Sequence, residues 1–386
     1  MSETVSELNG RILSLHQSET IELSLPNEDQ RGQFVENFLQ QGDRKVEFED
    51  GKDKFVEACA GLKLTGVQDL LEVAHRNSEI LTRAHVLEEV NARLTAELGD
   101  VIKVVRPEHT PADIIGYKGV CEVMTEIMDD CEDPQTAPQV LVVSGANGNG
   151  KTFQMEGYAN SSGRVVITIG NIRSSDFGGT DRLFEKLNLL TGTFGKIMIL
   201  VDEAHTQFAS IHGRDTHDTD KRLSGKVIAM MSNPRLRGKI LWVMMSSRPD
   251  LLDPDIKSRA SEQIPIFDLE EEQRSQFIKA LFSRKGIELE PEQLIEVIQA
   301  TEHFSNRDFA NLVGKVLGRR KRQPEITPLE VLRKWRASNS IVRDRKLQSL
   351  IAAQHCSYPE LLPENLHKTE PEELQAQIDH LMVIRS

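Results

Sequence analysis

The feature that most constrains this chain is the stretch Gly145-Ala146-Asn147-Gly148-Asn149-Gly150-Lys151-Thr152, which matches the pattern GxxxxGK[ST] at every fixed position. An apolar run at residues 140–143 precedes it, and helix-compatible residues 153–156 follow it. Glycines let backbone N–H groups turn toward one centre, and the N-terminus of the next helix adds partial positive charge there. The sequence therefore predicts a strand, a phosphate-binding loop and a helix, in that order.

A second element is the apolar run Ile197–Val201, which ends in two acids, Asp202 and Glu203. Alone, these acids could be solvated residues at a strand end, but a phosphate loop in the same domain gives them a function. Asp202 and the Thr152 hydroxyl are predicted to hold Mg2+, and Lys151 to reach the β- and γ-phosphates. Glu203 is predicted to polarise the attacking water. Together the two elements predict hydrolysis of a nucleoside triphosphate.

Apolar runs alternate with glycine-rich loops and helical segments over residues 105–262, which predicts an α/β domain with a parallel sheet. Residues 1–104 are predicted to be mostly helical, with an extended segment at 21–25. Residues 263–386 are predicted to open with a strand at 263–266 and then to be helical. The strands predicted within the α/β domain are Val140–Ser144, Val165–Ile169, Ile197–Val201 and Ile240–Ser246.

A weak internal repeat links the first and last of these stretches. Residues 21–40 align without a gap to residues 264–283. The matching pairs are Ile21 and Ile264, Glu28 and Glu271, Gln30 and Gln273, Arg31 and Arg274, Gln33 and Gln276, and Phe34 and Phe277. Shorter matches follow, of residues 64–70 with 304–309 and of 81–87 with 326–332. Chance similarity between amphipathic helices is the alternative, but three matches in one order favour two small helical bundles of the same design.

The composition of the 386 residues is that of a globular protein with two or three domains, at 38% hydrophobic and 28% charged residues. The net charge of -13 disfavours a role in coating nucleic acid. The four cysteines are scattered without a CxxC pair, so neither a zinc site nor a disulfide framework is indicated, and a reducing, cytoplasmic compartment is expected. The polar start gives no expectation of a signal peptide, and no apolar run reaches the roughly 18 residues of a membrane span.

The letters of Asp202-Glu203-Ala204-His205 spell DEAH, which is typical of certain helicases. Such helicases need a second RecA-like domain, whereas this chain has one phosphate loop and about 160 residues of α/β sequence, a single-domain length. Its acidic charge also disfavours a helicase. His205 is therefore predicted to be a helix-start or loop residue.

Residues 110 to about 335 resemble the AAA clade of AAA+ ATPases. Residues 110–116 are similar to the clade's entry segment, whose backbone and apolar side chains flank adenine. Ser246-Ser247-Arg248-Pro249-Asp250 resembles the sensor-1 sequence, with Ser247 where asparagine is usual. The shorter hydroxyl can still hydrogen-bond water or phosphate, with less reach. The resemblance implies a P-loop α/β domain followed by an α-helical lid, with ATP and Mg2+ as cofactors.

The resemblance also assigns two arginines. Arg259 stands where the family's arginine finger reaches into the neighbouring subunit's site and stabilises the transferring phosphoryl group. The alternative is a surface arginine paired with Glu262. Arg307 stands where the lid helix carries sensor 2 and would contact the γ-phosphate; the alternative is a solvated residue at the start of a helix.

Residues 174–181 resemble pore loop 1, in which an aromatic residue followed by small residues grips a polypeptide in the channel of a ring. Phe177 and Gly178 take those positions, and the alternative is a phenylalanine tucked into the core. The His- and Asp-containing residues 215–220 fit no metal geometry and are predicted to be a solvated loop. The basic run at 319–322 is predicted to end a helix, where it would complement the helix dipole.

The predicted site residues form four groups. The catalytic residues are Glu203, Lys151, Arg259 and Ser247. The nucleotide-binding residues are Gly145, Ala146, Asn147, Gly148, Asn149, Gly150, Lys151, Thr152, Phe153, Asp113, Ile115 and Arg307. The metal ligands are Thr152 and Asp202, and the substrate pore loop carries Phe177 and Gly178.

The predicted organisation is an N-terminal helical domain at 1–104 resembling a detached lid, a P-loop α/β domain at 105–262, a lid at 263–335 and a helical extension at 336–386. The predicted function is an ATP-hydrolysing motor that assembles with itself into a ring, a hexamer, and remodels protein substrates. A nucleotide-gated scaffold or chaperone that does not thread its substrate, and a nucleic-acid remodeller or loader, are the alternatives.

Overall fold

The computed structural model describes residues 26–42, 44–59, 62–82, 84–86, 88–89, 92, 102–105, 107–169, 196–208, 225, 227–337 and 342–383. These residues belong to two compact units. The first ends at Val104, and the second comprises the described residues of 105–169 and 196–383.

The described part of the first unit is built on three helices: α1 (Glu28–Gln40), α2 (Lys52–Ala58) and α3 (Leu64–Asn77). Two short strands, β1 (Glu47–Phe48) and β2 (Ile80–Leu81), pair in parallel. α1 begins with a capping box, in which the Asn27 side chain accepts from the N–H of Gln30 and the Gln30 side chain accepts from the N–H of Asn27. Sequence and local structure therefore agree on where α1 starts. A further strand, β3 (Ile102–Val105), includes the last described residue of the first unit, Val104, and the first residue of the second, Val105.

The second unit contains a parallel sheet with the order β5-β6-β7-β4-β8. Its strands are β4 (Val140–Ser144), β5 (Val165–Ile169), β6 (Ile197–Val201), β7 (Ile240–Ser246) and β8 (Glu262–Pro265). Every residue of β4, β6 and β7 is buried, as expected for a parallel sheet covered on both faces. Four strands have their predicted bounds. The fifth begins and ends one residue earlier than predicted, although Ile266 still donates its N–H to Ser144.

Helices of the second unit pack against this sheet. They are α4 (Lys118–Asp130), α5 (Lys151–Ser161) and α6 (Ala204–Gln207). A short helix, α7 (Pro254–Lys257), follows β7 in sequence. Met124 and Ile127 of α4 and Met155 and Tyr158 of α5 join the strands in one buried cluster. The i, i+3 spacing of the α4 pair is that of an amphipathic helix with one face in the core. This core fixes the two ends of the loop that connects β4 to α5.

A helical bundle follows the sheet within the same unit. It consists of α8 (Glu271–Ser283), α9 (Pro291–Ala300), α10 (Asn306–Arg320) and α11 (Pro328–Leu332). Its own core includes Phe282, Phe309, Leu312 and Val316. α10 ends in the basic run, as predicted, and a capping box of Ser305 and Asp308 begins it. We call α8–α11 the lid.

The lid and the first unit share details of structure at the residues that the sequence repeat aligns. α1 and α8 begin and end at aligned positions. Arg31 donates to the carbonyl of Val56 near the end of the next helix, and Arg274 donates to the carbonyl of Thr301 just after the next helix. Two independent features, helix bounds and arginine contacts, therefore favour bundles of one design. The predicted domain boundaries themselves stay a prediction.

Two helices, α12 (Val342–Gln354) and α13 (Pro371–Val383), complete the second unit. They pack through Leu347, Ile351, Leu374 and Ile378, and Phe267, two residues after β8, lies against this cluster. The C-terminal extension is thus anchored close to the end of β8. Among the described residues, no helix combines the length and the apolar character that crossing a membrane requires.

Candidate functional site

The loop between β4 and α5 has the backbone that its glycines predict. Gly145, Gly148 and Gly150 have φ of +142°, +92° and +83°, values that residues with a Cβ rarely adopt. Gly150 is the N-cap residue of α5, so Lys151 and Thr152 begin the helix. The predicted order of strand, loop and helix is confirmed, and the helix N-terminus lies at the end of the loop, where it favours negative charge.

The loop is packed between two other elements. A Cβ on Gly145 would collide with the carbonyl oxygen of Ile266, just after β8. A Cβ on Gly148 would lie 2.7 Å from the Oγ of Ser305, and the N–H of Arg307 donates to the Gly148 carbonyl at 3.1 Å. The start of α10 therefore rests directly on the phosphate loop.

Lys151 is buried, with 7% of its surface exposed. Its Nζ donates to the carbonyls of Gly145 at 2.9 Å and Ala146 at 3.2 Å. Burial lowers the pKa of Lys151, and the nearby carboxylates of Glu203 and Asp202 oppose that shift. The Lys151 ammonium therefore interacts electrostatically with both predicted acids, Asp202 and Glu203.

Glu203 follows Asp202 in the turn after β6 and has an unusual backbone. Its φ and ψ are 46° and 45°, the left-handed region, which costs a non-glycine residue roughly 1 kcal/mol. Asp202 Oδ1 accepts the N–H of Glu203 at 3.0 Å. Strained conformations of this kind recur at functional sites because they orient a side chain. Here the strain falls on the predicted catalytic acid.

Side chains from β7 and α6 contact the Glu203 carboxylate. Ser247 is buried at the end of β7 and donates its Oγ hydrogen to Glu203 Oε2 at 3.3 Å. The sequence assigned the Ser247 hydroxyl to water or phosphate, and the structure adds Glu203 as a partner. Nδ1 of His205 lies 3.4 Å from the same Oε2 and 2.9 Å from Ser246 Oγ.

His205 is a residue whose contacts sequence analysis missed. It lies in α6, consistent with the predicted helix-start position, but its ring faces Glu203 and its side chain is 14% exposed. Burial lowers the pKa of His205, and the Glu203 carboxylate opposes that shift. Its position two residues after Glu203 is the sequence signal that could have indicated this contact.

The predicted Mg2+ ligands, Thr152 and Asp202, stand at the start of α5 and the end of β6. A hydroxyl and a carboxylate are the hard oxygen donors that Mg2+ prefers, and Mg2+ usually takes few protein ligands beside substrate phosphates. The described residues contain no group of three or more His, Cys, Asp or Glu side chains able to hold a metal by themselves. The donor set fits Mg2+ bound together with phosphates.

The predicted nucleotide-binding residues outside the phosphate-loop motif include Asp113 and Ile115 of the entry segment and Phe153 of α5. Asp113 ends a 3-10 turn, accepts the N–H of Thr110 at 3.0 Å and pairs with Arg284 at 3.4 Å. Ile115 is half-buried. Phe153 is 42% exposed and stacks on His109 with ring centroids 3.8 Å apart. Asp113 therefore connects the entry segment to the residue after α8.

Two predicted arginines have different surroundings. Arg259 donates to Ser232 Oγ at 2.5 Å and to the Asp255 carbonyl at 2.6 Å. Within the described part of the chain, its guanidinium pairs with neither Glu262 nor a residue of the phosphate loop. The Arg307 side chain is exposed in the first turn of α10, and its charge contributes to lowering the pKa of Lys151. Phe177, Gly178 and residues 215–220 lie outside the described residues.

Comparison with known proteins agrees with this geometry. Residues 141–267 match the family model described as ATPase family associated with various cellular activities (AAA). Spastin of Xenopus laevis is 24% identical over 176 residues, covering 45% of this chain and 29% of spastin. The cell division cycle protein 48 homolog of Archaeoglobus fulgidus is 23% identical over 223 residues, covering 55% and 30%. Human fidgetin-like protein 1 is 22% identical over 244 residues, covering 59% and 36%.

The match to solved structures concerns the fold. A chain of the Escherichia coli MS115-1 HORMA:CdnC:Trip13 complex superposes with a TM-score of 0.51 at 17% identity, covering 62% of this chain and 96% of that one. This chain matches only about a third or less of the length of the curated relatives. The phosphate loop at the sheet edge, the acids after β6 and the family match together show that this chain carries an ATPase domain of the AAA type at residues 141–267.

Proposed function

We propose that this chain is an ATP-driven remodeller of protein substrates that works as a ring, a hexamer of identical subunits. The observation that carries the proposal is the constellation at the sheet edge. Buried Lys151 is electrostatically coupled to Asp202 and Glu203, and the Glu203 carboxylate is held by Ser247. Such a site needs one further positive charge for the transferring phosphoryl group, which the family takes from a neighbouring subunit.

Within one subunit, the residues divide the work of hydrolysis. The loop amides and Lys151 bind the phosphates, and Thr152 and Asp202 would hold Mg2+, which when bound would neutralise charge on the phosphate oxygens. Glu203 accepts a proton from the attacking water. Its strained backbone and the Ser247 hydroxyl fix where that carboxylate points. Arg307, carried by the lid helix on Gly148, links the lid angle to the bound phosphates.

Arg259 supports the ring. Its guanidinium is bonded to Ser232 and Asp255 of its own subunit rather than to the phosphate loop. A fixed guanidinium outside its own site is suited to complete the site of a neighbour. The lone subunit is then nearly inactive, so specific activity rises with protein concentration as rings form.

A protein substrate is favoured over nucleic acid. The net charge of -13 repels a phosphate backbone. The structurally similar chain was solved in a complex with HORMA. From this similarity we infer only that the present chain also has a protein partner. Phe177 and Gly178 are proposed to contact the substrate. All four cysteines are free, which fits the proposed reducing, cytoplasmic location.

Complementation between two inactive variants tests the shared site. Glu203→Gln removes the base, and Arg259→Ala removes the finger, so each variant alone should lose most ATPase activity. In rings assembled from equal amounts of both, about a quarter of interfaces unite an intact Glu203 with a neighbour's intact Arg259. We therefore expect partial recovery of turnover on mixing.

The control is Arg235→Ala, which removes an exposed arginine near Ser232 and should leave turnover unchanged. Absence of recovery, in mixed rings verified to contain both variants, would refute the role of Arg259 in the neighbouring site. A separate substitution distinguishes threading from the nucleotide-gated scaffold. Phe177→Ala should abolish remodelling while ATPase activity persists, whereas a scaffold would be unaffected.

A further inference from the structure

The C-terminal helix α12 contacts the phosphate loop at two points. Gln348 Oε1 accepts the N–H of Asn147 at 3.0 Å, and Arg345 Nη2 donates to Asn149 Oδ1, also at 3.0 Å. Asn147 and Asn149 occupy variable positions of the loop motif, between its fixed glycines. An element outside both the sheet and the lid therefore bonds the backbone and a side chain of the loop.

Arg345 is a buried charge. Its side chain is 7% exposed, and Nη2 also pairs with the half-exposed carboxylate of Asp268. Among the described residues, Nη1 has no hydrogen-bond partner. Burying a guanidinium is unfavourable unless its pairing is good, and an incompletely satisfied one is a poor source of stability. The position of Arg345 is therefore better explained by what it holds than by its contribution to folding.

Asn149, the residue that Arg345 holds, is fully buried and joins several elements. Its Nδ2 donates to the carbonyl of Ile266 at 3.0 Å. Its own carbonyl accepts from Tyr117 Oη at 3.3 Å and from Asn306 Nδ2 at 3.1 Å. The residue that caps α4, the start of α10, the residue after β8 and α12 thus meet at one loop residue. Because Gly150 and Lys151 follow directly, the orientation of Asn149 sets the direction of the next amides.

We propose that Arg345 is a positioning residue of the ATPase site, which acts through Asn149 to hold the phosphate loop in the conformation that binds nucleotide. The C-terminal helix is then a working part of the nucleotide site rather than a peripheral brace. This role concerns nucleotide binding by one subunit and does not depend on ring formation.

The test is a double-mutant cycle on nucleotide affinity. We would measure the Kd of a non-hydrolysable ATP analogue for the full chain, Arg345→Met, Asn149→Ala and the double variant. Loss of a hydrogen bond to a charged group predicts a roughly tenfold weaker Kd for Arg345→Met. In the Asn149→Ala background, the same substitution should change Kd by less than about twofold, because its target is already absent.

Two further variants separate positioning from general stability. Arg343→Met replaces an exposed arginine of the same helix and should leave Kd unchanged. Arg345→Lys keeps the charge and can still donate to Asn149, so it should recover part of the affinity. If Arg345→Met fails to fold by circular dichroism, the cycle is run with Arg345→Gln, which keeps a polar side chain but removes the charged donor. Unchanged affinity on replacing Arg345, or equal losses in both backgrounds, would overturn the proposal.

Discussion

Replacing Gly148 by alanine perturbs the contact between the phosphate loop and the lid at a single carbon. At the φ of Gly148, +92°, a Cβ would lie 2.7 Å from Ser305 Oγ and 3.3 Å from Arg307 Cβ. An L-residue in the left-handed region costs about 1–2 kcal/mol. Overpacking against the start of α10 adds about 1–3 kcal/mol. The combined cost of the backbone conformation and the overpacking can be reduced only if α10 moves away from the loop or the loop itself is distorted.

Thermal unfolding and nucleotide titration together measure this effect. Since each 1 kcal/mol shifts Tm by about 2–4 °C in a unit of this size, we expect Gly148→Ala to lower Tm by several degrees. Both ways of relieving the clash disturb the loop amides, so the affinity for ATP should fall more than about tenfold. Gly314→Ala is the matched control, because its Cβ would meet nothing within 4 Å inside α10. That change should stabilise the helix by about 0.5–1 kcal/mol.

The outcome that contradicts the reasoning is specific. If Gly148→Ala unfolds at the temperature of the unmodified chain and binds ATP with the same affinity, then α10 does not rest on Gly148 in solution. The hydrogen bond from Arg307 to the Gly148 carbonyl would then have no part in the link between lid and nucleotide.

Three further predictions concern His205 and Ser305. His205→Gln removes the ring beside Glu203, so turnover at saturating ATP should fall about tenfold or more with nucleotide affinity unchanged, and undiminished turnover would contradict that role. Burial lowers the pKa of His205, so the folded state binds its proton less readily than the unfolded state, and the free energy of unfolding should decrease as pH falls below about 6.5. Urea titrations should show a smaller decrease for His205→Gln, and equal decreases would refute this origin. Ser305→Ala removes the hydroxyl that caps α10 and should lower the free energy of unfolding in urea by about 1 kcal/mol. An unchanged urea midpoint would show that this hydroxyl does not stabilise the helix.

The sheet and the phosphate loop were predictable because their signals are local. A buried parallel strand is a short apolar run bounded by turn residues, so β4, β5, β6 and β7 could be bounded from the sequence. The loop is encoded by its glycines, whose positive φ the structure reproduces. The Ser305 capping box likewise has a local signature, which spans four residues. Each of these features needs only neighbours in sequence to be recognised.

The contacts around the site could not be predicted because they join distant segments. Arg345 and Asn149 are 196 residues apart in sequence, and nothing adjacent to Arg345 distinguishes it from exposed Arg343. The family pattern marks Asn149 only as a variable position. The contact of His205 was equally hidden, because His205 lies in α6 and its partner Ser246 lies in β7, 41 residues later in sequence. Long-range hydrogen bonds of this kind depend on how the elements pack, which no local pattern specifies.

The repeat helps to distinguish what the bundle fold requires from what the nucleotide site requires. Helix bounds and the arginine contact to the next helix are shared by the first unit and the lid, so they belong to the bundle. The start of α10 differs, because Asn306 and Arg307 meet the phosphate loop there. Between the matched pairs, the first unit has Gly66, Val67 and Gln68, and the first two are buried. In place of the polar residues that contact the phosphate loop in the lid, the first unit thus has buried Gly66 and Val67. We therefore expect the first unit to take no part in ATP binding.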